Sequence, residues 1–154
     1  MDTSQHRSAR RILVVANETV ESGLLRESIR SDADGLGIAE ILVVAPALNS
    51  RVRHWISDED EARRAAEARL LRSLERLGDA GLKAGGWVGD ADPLLAIADA
   101  LHAFDADQLV IATHPEGRSN WLARNLVVRA RRRFELPIRH IVVDAVRRDE
   151  YVAA

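Results

Sequence analysis

The residues best suited to chemistry lie in one stretch, QLVIATHPEGRSNW, at positions 108–121. Gly117, Arg118, Ser119 and Asn120 follow an apolar run and precede a helical pattern, an order that suits an anion. A Ser119 hydroxyl can cap free N–H groups at the start of a helix, those N–H groups and the helix dipole attract negative charge, and Arg118 can donate two parallel hydrogen bonds to phosphate oxygens. Glu116 opposes this, because a carboxylate beside a phosphate costs binding energy unless it turns away or pairs with an arginine. The plainer reading is that Ser119 only caps its helix and Arg118 pairs with Glu116. Thr113 and His114 beside Ser119 also invite a hydrolase reading, but no acid and no oxyanion donors are placed with them. No catalytic residue is assigned.

Other chemistries find less support. The chain has no cysteine, which excludes disulfides, thiolate metal sites and cysteine nucleophiles. No Gly-Lys-Ser/Thr occurs, and the first apolar run is not followed by GxGxxG, so the usual phosphate-binding and dinucleotide-binding loops are absent. A phosphoacceptor site would want paired acids after that first run, where Asn17 and Glu18 offer one. His6, His54, His102 and His140 are scattered, without metal-ligand spacing. A net charge of −2 supplies no global field for nucleic acid or an anionic membrane. No apolar run is long enough to span a bilayer and no signal peptide opens the chain, so a soluble cytoplasmic protein is expected.

The elements that must position the stretch follow from apolar periodicity. Ile12-Leu13-Val14-Val15-Ala16, Ile41-Leu42-Val43-Val44-Ala45 and Leu109-Val110-Ile111-Ala112 are short unbroken apolar runs, the mark of strands buried on both faces, and positions 138–143, after Leu136-Pro137, read as the fifth strand. Ala84-Gly85-Gly86-Trp87-Val88 is a weaker, glycine-rich strand suited to an edge. Between them, Leu24, Leu25 and Ile29 mark one helix. Ser57 opens a second, with Ala62, Ala66, Leu70, Leu74 and Leu77 as its stripe. Asp92 and Pro93 open a third, with Leu94, Ile97, Leu101 and Phe104 inward. Leu122, Leu126, Ala130 and Phe134 predict a fourth over 120–134. Its Arg124, Arg129, Arg131, Arg132 and Arg133 read as cations near a helix C-terminus.

Five strands alternating with four helices predict a doubly wound α/β domain with a five-stranded parallel sheet and helices on both faces. The chain of 154 residues holds one such domain, at 11–144, with a polar arm at 1–10 and a loosely held tail at 145–154. Ligands in these sheets bind beyond the carboxyl ends of the strands, where strand order reverses. That edge gathers positions 17–19, 45–55, 89–92 and 113–120. The 47–56 connection is long, and Trp55 reads as a packing residue that pins it.

ILVVANET, WVGDADPLLAIADALHAFDADQLVIATHPEG and LPIRHIVVD resemble the universal stress protein family over nearly the whole domain. The resemblance implies strand order three-two-one-four-five and, in ATP-binding members, an adenine nucleotide between the first and fourth strands. It places Asn17, Thr19, Ala45, Thr113, Gly117, Arg118, Ser119 and Asn120 as ligand-binding candidates. The glycine phosphate-binding pattern of those members is missing: Thr113, Glu116, Leu126 and Val127 stand at its four places, and a shift of one residue recovers only Gly117. Asn17 replaces the acid expected after the first strand, keeping hydrogen-bonding capacity without charge. ATP or AMP as a ligand is left open, and the cofactor is unknown.

Two functions follow. The first is a small-molecule binding module of the stress response, holding an adenine nucleotide or another anion. The alternative is a ligand-free dimeric adaptor of the same fold, and an enzyme stands a distant third. The resemblance also implies a homodimer formed through the fifth strand, whose Ile138, Ile141 and Val143 could extend a sheet.

Overall fold

A computed structural model of the chain describes residues 10–16, 38–47, 57–113, 125–144 and 149–152. The expected helix around Leu24 and Ile29, the segment 48–56 with Trp55, and positions 114–124 lie outside the described residues. The described elements are β1 (Arg10–Ala16), β2 (Ile38–Pro46), α1 (Ser57–Asp79), β3 (Ala84–Gly89), α2 (Pro93–Ala103), β4 (Gln108–Thr113), α3 (Leu126–Arg133), β5 (Ile138–Asp144) and β6 (Asp149–Val152).

They form one sheet in the order β3-β2-β1-β4-β5-β6. The first five strands are parallel, in the expected three-two-one-four-five arrangement. β1 and β4 are adjacent, with Val14 opposite Val110 and Ala16 opposite Ala112. The unbroken apolar runs explain why these two strands are central. Ile12, Leu13, Val14 and Val15 are fully buried, as are Leu109 and Ile111, so each strand has core on both sides.

Alternation along the strands divides the core into two layers. Ile12, Val14, Ile41, Val43, Val110 and Ile141 face α1, which contributes Ala66, Leu70 and Leu77. Leu13, Val15, Val44, Leu109 and Ile111 face α2 and α3, which contribute Leu94, Ile97, Ala100, Leu126 and Ala130. α1 stops in a left-handed cap at Gly81 (φ 82°). Leu82 N–H donates to Leu77 C=O at 3.0 Å and Gly81 N–H to Gly78 C=O at 2.9 Å, which satisfies the helix-end carbonyls. β3 is an edge strand, as its glycines suggest.

Two expectations change. The tail at 145–154 contains β6, which pairs antiparallel with β5 from Ile141↔Val152 to Asp144↔Asp149. Its sequence, Asp-Glu-Tyr-Val, is half acidic and too short to show periodicity, which hid it. Consequently the outer edge of β5, the route expected for pairing two chains, is already paired over positions 141–144.

The second change concerns the helix expected over 120–134. Among the described residues it begins at Leu126, after Asn125 in the left-handed conformation (φ 51°, ψ 40°). Asparagine tolerates that conformation better than other side chains bearing a Cβ, so the chain turns sharply here and no helix runs through position 125.

Candidate functional site

Two of the ligand candidates, Ala45 and Thr113, are described residues, and they stand at the carboxyl ends of β2 and β4, on either side of β1 and on opposite faces of the sheet. Ala45 of β2 is buried, as are Ala16 and Ala112 on β1 and β4, and all three belong to the layer facing α1. Thr113, the last residue of β4, is 1% exposed. Asn17, Thr19, Gly117, Arg118, Ser119 and Asn120 lie outside the described residues; in sequence Asn17 and Thr19 follow β1 and the other four follow β4.

Thr113 has a partner that sequence spacing did not reveal. Its Oγ1 lies 2.7 Å from Nε2 of His140, in a buried contact between side chains 27 positions apart. Register explains the meeting. Ile111 is opposite His140 and Thr113 opposite Val142, so Thr113 and His140 lie on the same face of adjoining strands, the face covered by α3. The imidazole tautomer sets the direction of the bond: with the proton on Nδ1, the threonine hydroxyl donates to Nε2.

Burial pushes the His140 pKa below its ordinary value of 6.5, and the Arg131 guanidinium on α3 pushes it in the same direction. Desolvation disfavours the imidazolium, and a nearby cation disfavours it again. His140 is therefore neutral at pH 7. A neutral imidazole and a hydroxyl, closed on one another inside the protein, form a structural clasp between β4 and β5. They do not supply an accessible nucleophile and base. The hydroxyl that the hydrolase reading would pair with His114 or Ser119 is engaged with His140.

At the far side of the edge, carboxylates govern the electrostatics. Asp92 Oδ1 accepts from Leu94 N–H at 3.0 Å, capping α2, and Asp92 N–H donates to Asp90 Oδ1 at 2.8 Å. Pro46 of β2 is opposite Gly89 in register, so these acids sit beyond the β2–β3 end of the edge. Their negative charge disfavours an anion at that end of the edge. The start of α3 offers no hydroxyl cradle. Leu126 and Val127, which stand where the glycine pattern calls for Gly-Ser/Thr, are buried against the core, and Asn125 makes no side-chain cap. Among the described residues, no group of three or more His, Asp or Glu could hold a metal ion. No described helix is long and apolar enough to cross a membrane.

No protein-family model matches the chain, and no curated protein matches it. Solved structures do. A universal stress protein family protein from Arabidopsis thaliana with AMP bound superposes with a TM-score of 0.53 at 16% identity, covering 88% of this chain and 93% of that one. A universal stress protein from Archaeoglobus fulgidus superposes with a TM-score of 0.53 at 19% identity, covering 84% of this chain and 92% of that one. Strand order, central β1 and β4 and these superpositions agree: the chain has the fold of the universal stress proteins.

Proposed function

We propose that this chain is a small-molecule binding module of the stress response, resembling universal stress proteins and acting in the cytoplasm. It holds an adenine nucleotide or another small anion beyond the carboxyl ends of β1 and β4. The observation carrying this reading is the adjacency of β1 and β4 at the point where strand order reverses, the place where open α/β sheets receive ligands. The Arabidopsis protein of the same fold carries AMP, which favours that ligand class. In this reading Ala45 and Thr113 mark the strand ends beneath the ligand, on opposite faces of the sheet, while Asn17 and Thr19 meet the base or ribose and Gly117, Arg118, Ser119 and Asn120 meet the phosphate.

A specific observation favours the second reading, a ligand-free dimeric interaction or adaptor protein of the same fold. Leu126 and Val127 are buried where a phosphate cradle would need glycine and a hydroxyl, so any phosphate must depend on Arg118 and the 114–124 segment. Calorimetry with ATP, AMP and inorganic phosphate on the parent and on Arg118→Ala separates the two. Heat in the parent that is lost in the variant supports the binding module. A parent that gives no heat, with no nucleotide retained in native mass spectra, supports the interaction protein.

A further inference from the structure

From the sheet topology we infer that β6 is an edge guard: a short strand with which the chain covers the carboxyl-end half of its own β5 edge, so that this edge does not pair with a second copy.

Hydrogen-bond geometry locates the closure. Along a parallel ladder, alternate residues turn both main-chain groups toward the same neighbour. Leu109 N–H donates to Pro137 C=O at 3.0 Å, so Arg139, Ile141 and Val143 direct their main chain to β4. Ile138, His140, Val142 and Asp144 therefore turn theirs outward. β6 meets two of these outward positions, placing Tyr151 opposite Val142 and Asp149 opposite Asp144. Without β6, the N–H and C=O groups of Val142 and Asp144 would stand open on a strand whose Ile141 and Val142 are core residues. Such an edge is a template for another strand.

β6 suits a guard better than it suits a docking strand. It has four residues, two of them acidic, and it is the last strand of the sheet. Short length and charge are the features by which edge strands avoid pairing onward. It is also the one antiparallel member, reached directly through residues 145–148, so a chain that already has its parallel sheet adds it at small loop-closure cost. The occupant of the bared edge is a second copy, because an antiparallel meeting of two β5 strands about Ile141 is self-complementary and closes on itself.

Light scattering on three full-domain proteins tests this at micromolar concentration: the parent, the parent lacking 145–154, and Tyr151→Pro, which removes the N–H opposite Val142 in the intact chain. The expected result is a single-chain mass near 17.0 kDa for the parent and at least a doubling for both altered chains, with faster exchange of the Val142 amide. Equal masses for all three, whether all single or all double, overturn the inference. Circular dichroism accompanies the masses. If both altered chains unfold, β6 is part of the core support and the guard reading is overturned as well.

Discussion

Arg11 and Asp107 hold each other by two reciprocal hydrogen bonds, one to the Asp107 carboxylate and one between main chains. Arg11 N–H donates to Asp107 Oδ2 at 2.9 Å, and Asp107 N–H returns a bond to Arg11 C=O at 2.8 Å, across 96 positions of sequence. The arginine side chain extends the link, with its guanidinium 4.3 Å from the centroid of the Phe104 ring and 3.4 Å from Glu40. This clasp ties the start of β1 to the turn between α2 and β4, at the end of the sheet opposite the candidate site.

Arg11→Ala should lower stability by about 1 kcal/mol, the worth of a partly exposed cation over an aromatic face plus lost stem packing. The Glu40 pair is exposed enough that Glu40→Ala should cost close to nothing. Urea unfolding of the two variants makes the comparison. A larger loss in Glu40→Ala would mean that the ion pair, not the ring, anchors Arg11.

Acid should weaken the fold through His140. The folded-state pKa lies below the unfolded value near 6.5, so the unfolded chain binds the extra proton first. The stability contributed by neutral His140 is complete above about pH 6.5 and is lost as pH falls through the folded-state pKa. Thermal unfolding from pH 7.5 to 5 should show a fall that is smaller in His140→Gln, which keeps a hydrogen-bonding group without titrating in this range. Equal slopes in parent and variant would assign the acid sensitivity to other groups.

Thr113→Val keeps the volume of the threonine and leaves Nε2 of His140 without its partner. The expected loss is about 1–3 kcal/mol, the cost of an unsatisfied buried polar group. In a double-mutant cycle with His140→Leu, the second change should cost less once the first is made. Strict additivity would show that the 2.7 Å contact contributes nothing in solution.

Neighbouring glycines in β3 should respond in opposite ways. A Cβ on Gly86 would collide with the Val43 carbonyl oxygen and come within 2.8 Å of Leu70 Cδ1, so Gly86→Ala must push strand or helix aside and lose at least about 1–3 kcal/mol. Gly85 has nothing within 4 Å of its would-be Cβ, and Gly85→Ala should be neutral or gain up to about 1 kcal/mol by restricting the unfolded chain. Melting temperatures of the pair decide it, and a loss in Gly85→Ala as large as in Gly86→Ala would contradict the packing described for this edge.

The parallel sheet was legible because its strands announce themselves. Ile12 to Val15 and Leu109 to Ala112 are unbroken apolar runs, and burial on both faces is the simplest reason for such runs. Turn chemistry was equally readable at Asp92-Pro93, where the carboxylate caps α2 as its position suggests. Three features were not readable, each for a physical reason. The Thr113–His140 bond depends on register between β4 and β5, and no local periodicity encodes that. The start of α3 was masked by Leu122, Leu126, Ala130 and Phe134, whose four-residue spacing continues across Asn125 although the backbone there is left-handed. β6 lacks an apolar face to advertise it and gains its place only by meeting a strand already formed.

The insertion of β1 between β2 and β4 also sets a timetable for synthesis. β1 ends at position 16 and its second neighbour does not begin until position 108, so at ribosomal rates of about 5–20 residues per second this apolar strand waits about 5–20 s for that side to be closed. During this interval the main-chain groups of β1 that later pair with β4 stand open, and Leu13 and Val15 lack the cover of α2 and α3, which makes the first hundred residues the period in which a chaperone contact matters most. Refolding of the intact chain is governed by the same long-range closure, and it should be slow compared with helical proteins of equal length.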